Sequence, residues 1–522
     1  MTSRILLSIS LLAAPLAAAT CDSLADLKLA NTTITSAKTI AAGAFTLPPG
    51  VPVSPSSAAS FKKLPDFCRV EGVLQPSTDS HIEFEVWLPA FGWNGKIHGE
   101  GNGGFAGSIN YTALAGSVLA GYASSSTDTG HKGEATEARW ALGHTEKIVD
   151  FGYRAIHETA EKSKIIVRAF YEEDVKHSYF SSCSNGGRQA LMEAQRYPED
   201  YDGIIAGAPA AAWTHIGTAF IWDLQATEID PASYIPQGKF PAIEAGVVAA
   251  CDARDGVKDG VIDDPTKCDF KPSALLCKGA ESDACLTQPQ ITALEKIYAG
   301  PRNSRGEQIY PAFLPGGESG PGGWGLWVSG AGPGKSLQYQ FATQGWTNMM
   351  YENADFRTIN LEHDVKLADD AMGARLNAVD PDLKALKDRG GKLILYHGWS
   401  DSALAPMATV NYYQSVVAKM GQKPTAEFVR LYMVPGMQHC GGGPGTDSFG
   451  ATPGGPSDAQ HSISAAMESW VENRIAPNRI IATKLAAGQV VRTRPLCPYP
   501  QIARYSGSGS TDAAASFRCA AP

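Results

Sequence analysis

Runs of basic residues are missing from this 522-residue chain, and no long apolar stretch follows its first twenty residues. Lys and Arg number 44 against 53 Asp and Glu, a formal net charge of −9. A nucleic-acid backbone is gripped by clustered Lys and Arg, so this balance excludes nucleic acid as a partner. A membrane-spanning helix needs about 20 consecutive apolar residues, so the body of the chain does not cross a membrane. There is no internal repeat. Charge density is low, 19%, and the hydrophobic fraction is 43%, which excludes whole-chain disorder. At about 150 residues per unit, the length fits two or three packed units.

What is present starts at the N-terminus. Arg4 precedes the apolar run 5–14, then Pro15 and Ala17, Ala18 and Ala19. A basic start, a short apolar core and a small-residue cleavage site predict a secretory signal peptide over residues 1–19. The mature protein is then secreted and extracellular, and disulfides become the default for its 10 cysteines. Asn31 and Asn110 each open an N-glycosylation sequon.

Further along, alternation over 81–89 predicts a strand, and 96–98 a short one running into the Gly-rich stretch 101–107. Helical spacing follows over 146–162, a strand over 176–182, a helix over 187–196 and a short buried strand over 204–207. This is α/β organisation. After Pro209 the character changes: four cysteines crowd together and Gly and Pro cluster at 315–317 and 321–325. Residues 209–385 therefore read as an inserted second domain. The α/β pattern resumes with strands over 392–398 and 428–434 and a helix over 409–420. The remaining domain comprises residues 20–208 and 386–522.

Ser184 lies between the strand ending near 182 and the helix starting near 187, among Ser182, Asn185, Gly186 and Gly187. A sharp strand-to-helix turn can present a serine hydroxyl at the top of a sheet, and its neighbours must be small. Ser182 stands where the G-x-S-x-G pattern has its first glycine, and a plain Ser/Gly helix cap is the competing reading. A serine nucleophile needs a base, and the base an orienting carboxylate. Asp401 and His439 each follow a predicted strand, at the edge where α/β folds build sites. The order Ser, Asp, His is that of α/β-hydrolases. His397 is the rival base, but it lies close to Asp401 in sequence. Cys183 precedes Ser184 and Cys440 follows His439, so a Ser184–His439 hydrogen bond would bring the two cysteines into disulfide range.

The Cys183-Ser184, Asp401 and His439-Cys440 arrangement resembles that of the tannase/feruloyl esterase family of secreted esterases. So do the blocks at 101–107, 150–154, 201–207 and 390–398. The resemblance covers nearly the whole mature chain. It implies an α/β-hydrolase core with a large inserted lid, a Ser184–His439–Asp401 triad, a Cys183–Cys440 bridge and no organic cofactor. Acyl transfer also needs N–H donors for the oxyanion: Asn185, and Gly103 or Gly104 from the Gly-rich loop.

Residues 252–263 carry carboxylates broken by glycines, which suits a hard cation taking about 6–8 oxygens or a plain solvated turn. The resemblance implies a structural calcium here, bound by Asp252, Asp255 and Asp259 with the Val257 and Val261 carbonyls. Cys251 and Cys268 would clamp this loop. The remaining cysteines pair most simply as Cys21–Cys68, Cys277–Cys285 and Cys497–Cys519, in line with the resemblance. The implied substrates are aromatic-acid esters, hydroxycinnamates first and gallate as the alternative, carried on a plant cell-wall polysaccharide or polyphenol. Trp213, Phe220, Trp222, Trp324 and Trp327 are candidates to line the acyl pocket. A non-catalytic secreted binding protein on a hydrolase scaffold is the alternative of another class.

Overall fold

Nine strands hydrogen-bond into one sheet: β1 (Thr32–Ile40), β2 (Phe67–Leu74), β3 (Ile82–Pro89), β4 (Lys96–Glu100), β5 (Ala123–Thr127), β6 (His177–Cys183), β7 (Gly203–Gly207), β8 (Lys392–Gly398) and β9 (Val429–Val434). The computed structural model describes residues 20–51, 54–350, 354–451 and 456–522; the expected signal peptide, 1–19, lies outside them. The strand order is β1-β2-β3-β5-β4-β6-β7-β8-β9. From β1 through β3 to β5 the pairing is antiparallel, and from β5 through β4 to β9 it is parallel.

Period-two alternation explains why the parallel half is apolar on both faces. Leu393 and Leu395 of β8 join Ile204 of β7 in a core on one side. Ile394 and Tyr396 join Ile205 in a core on the other. The longer helices are α1 (Tyr111–Leu119), α2 (Ala155–Tyr171), α3 (Asn185–Arg196), α4 (Trp213–Thr227), α5 (Phe240–Cys251), α6 (Gln288–Ala299), α7 (Leu337–Gly345), α8 (Pro406–Met420) and α9 (Ile463–Asn473). Residues of α2, α3 and α8 pack in the first core, and those of α9 in the second.

β7 and β8 are sheet neighbours, yet residues 208–391 lie between them in sequence and add no strand to this sheet. Most of this inserted segment builds two cores of its own, around α4 and α7 and around α5 and α6. Its last part, Leu383 and Leu386, returns to the sheet's core. The Gly/Ser-rich stretch near Gly507 connects β12 (Ile502–Tyr505) to β13 (Phe517–Ala520), downstream of the hairpin β10 (Ile480–Ala486) and β11 (Gln489–Leu496). Among the described residues no helix is long and apolar enough to cross a membrane.

Candidate active site

Ser184 is the single residue between β6 and α3, and its backbone sits at φ 66°, ψ −126°. That conformation is unfavourable for a side-chain-bearing residue and persists only when its surroundings enforce it. Here Ser184 N–H donates to the Gly207 carbonyl (3.0 Å), and the Ser184 carbonyl accepts from Arg188 N–H (3.1 Å) and Ala210 N–H (3.0 Å). The turn is crowded: a Cβ at Gly186 would collide with Ser182 Oγ, and one at Gly187 with the Gly207 carbonyl. Ser182 takes the usual glycine position because Gly186 and Gly101 leave it room.

The three candidate residues meet at the C-terminal edge of the sheet. Ser184 Oγ donates to His439 Nε2 at 2.9 Å, and His439 Nδ1 donates to Asp401 Oδ2 at 2.8 Å. Asp401 Oδ1 accepts the Ala403 and Leu404 N–H groups at 2.8 and 2.9 Å. Burial pushes the Asp401 carboxyl up. The facing His439, with hydrogen bonds from His397 and His439, outweighs that and holds it well below the usual carboxylate range. His397, the rival base, lies behind Asp401 and away from Ser184, with Nε2 3.0 Å from Asp401 Oδ2.

All ten cysteines are paired, in the expected connectivity: Cys21–Cys68, Cys183–Cys440, Cys251–Cys268, Cys277–Cys285 and Cys497–Cys519. The Cys183–Cys440 bridge, with Cα atoms 6.0 Å apart, ties the strand end before Ser184 to the residue after His439.

Asn185, buried, opens α3. Gly104 lines the same cavity as Ser184 and Asn185, whereas Gly103 faces an adjoining cleft. Gly104 has φ +57°, and a Cβ there would strike the Ala135 carbonyl. Sequence reading missed the residues that hold this loop. Asn102 N–H donates to Gln189 Oε1 (2.9 Å), and Asn102 Nδ2 donates to the Ser108 and Thr127 carbonyls (2.8 and 2.9 Å). Arg188, fully buried, donates through Nε to Asn185 Oδ1 (2.8 Å) and through its remaining nitrogens to the Gly152 and Phe151 carbonyls (2.7 and 2.9 Å). Burial lowers its guanidinium to about 9. An arginine one turn into the helix that starts at the candidate nucleophile was the available signal.

Beside Ser184 opens a cavity of about 570 Å3, including its mouth. Trp213, Phe220 and Trp327 line it as expected, together with Phe105, Phe341, Trp346, Met350 and Leu404, which sequence reading did not single out. The Trp327 indole meets the His439 ring edge-on, with centroids 5.2 Å apart. Trp222 and Trp324 lie elsewhere. Trp222 donates to the Lys296 carbonyl (2.8 Å), and Trp324 is buried in the core around α5 and α6. On the outer side of Ser184 lies a wider cleft lined by Asn102, Ser108, Thr112, Glu134 and Thr136.

In the acidic loop, Asp252 Oδ1 accepts N–H groups from Asp259 and Gly260 (3.2 and 3.1 Å). Asp255 Oδ1 accepts from Val257 N–H (2.9 Å) and Asp259 Oδ1 from Val261 N–H (3.1 Å). Asp259 is also paired with Arg494. Burial, then the neighbouring Asp259 and Asp252, raises the Asp255 carboxyl. Burial, then Asp255, pushes Asp263 up to about 7. By chemistry these oxygens fit a hard cation. By position they are spread along the loop, and among the described residues no three His, Cys, Asp or Glu side chains are gathered closely enough to hold a metal ion.

Asn31 is exposed in a turn. Asn110 caps α1, and its Nδ2, the atom a glycan would occupy, donates to the Gly101 carbonyl at 3.1 Å.

A family model described as "Tannase and feruloyl esterase" matches residues 68–520. An uncharacterized esterase of Xanthomonas campestris pv. campestris is 43% identical, covering 98% of this chain and 92% of that protein. A mono(2-hydroxyethyl) terephthalate hydrolase of Piscinibacter sakaiensis is 33% identical, covering 89% of this chain and 87% of that one. The crystal structure of feruloyl esterase B from Aspergillus oryzae superposes with a TM-score of 0.88 at 27% identity, covering 96% of this chain and 99% of that one. The shared fold is the α/β-hydrolase fold.

Proposed function

The chain belongs to the tannase and feruloyl esterase family and is a carboxylic ester hydrolase, and from that premise we propose that it is a secreted serine esterase of hydroxycinnamate esters. The observation that carries the reading is the continuous Ser184–His439–Asp401 hydrogen-bond chain at the mouth of an aromatic cavity.

In this reading Ser184 Oγ attacks the ester carbonyl while His439 Nε2 takes its proton. Asp401, a carboxylate throughout the working pH range, fixes the imidazole tautomer and stabilises the imidazolium. The N–H groups of Asn185 and Gly104 receive the oxyanion. The departing alcohol collects the proton from His439, and water then hydrolyses the acyl-enzyme by the same route. The acyl ring enters the aromatic cavity. The alcohol, a saccharide or polyphenol, lies in the wider outer cleft, where apolar groups such as Phe61, Ile109 and Leu337 stand beside the polar side chains named above. Residues 209–385 act as a lid that supplies most of the cavity wall.

Ring substituents decide between acyl groups. Apart from indoles, the polar side chains among the described residues lining the cavity are those of Ser184, Asn185 and His439. A gallate ring would bury hydroxyls without partners, each costing about 1–3 kcal/mol. A terephthalate half-ester would place a carboxylate where, among the described residues, no Lys or Arg lines the wall. Hydrolysis of methyl ferulate, p-coumarate, caffeate, sinapate and gallate and of mono(2-hydroxyethyl) terephthalate, measured side by side, tests this. Ferulate and p-coumarate are expected to lead, with gallate and the terephthalate lower in kcat/KM by about a hundredfold. Gallate turned over as fast as ferulate would overturn the hydroxycinnamate assignment in favour of tannase.

We propose further that the 252–263 loop takes a structural calcium, with Asp252, Asp255 and Asp259 drawn together onto the ion from their spread positions and the Val257 and Val261 carbonyls completing the donor set, and that Asn31 is the glycosylated sequon. Chelation is then expected to lower the melting temperature while the catalytic residues stay in place, and added calcium to restore it. An unchanged melting temperature, with elemental analysis finding no bound metal, would remove the calcium assignment.

A further inference from the structure

We propose that His397 is a positioning residue for the proposed triad: it donates from Nε2 to the same Asp401 oxygen that receives His439, and Thr409 orients it from behind. This rests on the triad reading above.

His397 is fully buried near the end of β8. Its Nε2 lies 3.0 Å from Asp401 Oδ2 and 3.3 Å from the Leu404 carbonyl oxygen. Both neighbours only accept, so Nε2 carries the proton. Its Nδ1 lies 2.7 Å from Thr409 Oγ1 on α8. A neutral imidazole protonated at Nε2 needs a donor at Nδ1, and the hydroxyl is one. The result is a single chain, Thr409–His397–Asp401–His439–Ser184, with two backbone N–H groups closing the other carboxylate oxygen.

The chain has a consequence for the base. A carboxylate that accepts from two imidazoles shares its negative charge between them. Without the His397 donor more of that charge faces His439, its imidazolium is stabilised, and the base stays protonated to higher pH. The carboxylate also loses one of the bonds that fix its rotation. The titratable groups facing Asp401 are His439 from the loop after β9, His397 from β8 and Tyr310 from the inserted segment. Burial and then the Asp401 charge push the Tyr310 hydroxyl up, so it stays neutral. Donation from Thr409 to Nδ1 polarises the ring and strengthens the Nε2–H bond, as linked hydrogen bonds do.

The test is the pH profile of p-nitrophenyl acetate hydrolysis, a probe independent of acyl preference, by the full-length enzyme. His397→Leu is expected to lower kcat by about tenfold to a hundredfold, the loss of a hydrogen bond to a charged group. KM should change by less than about twofold, and the acid limb of kcat/KM should move to higher pH. His397→Gln, whose amide N–H reaches the Nε2 position, should restore most of kcat. Thr409→Val should shift the acid limb in the same direction by less, and Thr409→Ser should match the wild type. The threonine pair decides the question if His397→Leu does not fold. Equal losses in the Leu and Gln variants, or a Thr409→Val enzyme with a wild-type profile, would overturn the proposal. Hydrolysis surviving in Ser184→Ala would instead overturn the triad reading itself.

Discussion

Replacing Ser184 with alanine is expected to remove ester turnover, with a fall in kcat of about 10^4- to 10^6-fold, while the folded structure persists. Ser184 Oγ alone faces His439 Nε2, at 2.9 Å, on the strained turn between β6 and α3. No second hydroxyl among the described residues is hydrogen-bonded to that nitrogen. Alanine tolerates the same backbone conformation about as well as serine, and the backbone bonds to Gly207, Ala210 and Arg188 do not involve the side chain. The melting temperature should therefore stay close to that of the wild type. A fluorophosphonate should label the wild-type enzyme stoichiometrically and leave Ser184→Ala unlabelled. Labelling that persists in the variant would place the nucleophile elsewhere, and a wild-type enzyme that takes no label would return the chain to the non-catalytic reading.

The second large effect is expected from opening the Cys183–Cys440 bridge with the double substitution Cys183→Ser and Cys440→Ser. Two physical consequences combine. The bridge spans 257 residues, against 47, 22, 17 and 8 for the others. In the chain-entropy model a loop of that length stabilises the folded state by up to about 5 kcal/mol, the most of the five. The bridge also joins the two turns that carry nucleophile and base, so its loss lets Ser184 and His439 move relative to each other. A misplacement of about 1 Å between reacting groups costs on the order of a hundredfold in rate. Denaturant unfolding should show the destabilisation, and kcat measured well below the transition should show the loss of rate. The Cys277→Ser/Cys285→Ser double variant, far from the triad in sequence and closing a short loop, is the control and should keep wild-type kcat. Equal kcat in the two double variants would mean that the bridge serves the fold and not the geometry of the site.

The parts of the site that were legible in the sequence are those whose chemistry restricts residue type and neighbourhood. A serine between a strand and a helix admits only small neighbours. An aspartate and a histidine each follow a buried strand, and two cysteines flank nucleophile and base. Each constraint is local, and register along parallel strands then carries the strand ends to one edge: Cys183 pairs with Gly207, and Gly207 with Tyr396. The apolar runs of β7, β8 and β9 were legible for the same reason, since both of their faces are buried.

Other features had no local signature. β5 reads Ala-Ser-Ser-Ser-Thr, which carries no apolar alternation, yet it is buried throughout between β3 and β4. Its small side chains suit a crowded central position that only the assembled sheet creates. The cavity wall joins Phe105, Trp213, Trp327 and Phe341, more than two hundred residues apart at the extremes, whereas Trp324 is buried in the core around α5 and α6 and the half-buried Trp222 donates to the Lys296 carbonyl. His397 reads as a rival base by residue type; direction settles its place, because the end of β8 turns its ring to the back of Asp401. The sequence by itself determined the fold class, the reactive residue types and their order along the chain. The tertiary structure alone decided which aromatics face the nucleophile and which imidazole faces the serine, because side-chain direction depends on packing between segments that are distant in sequence.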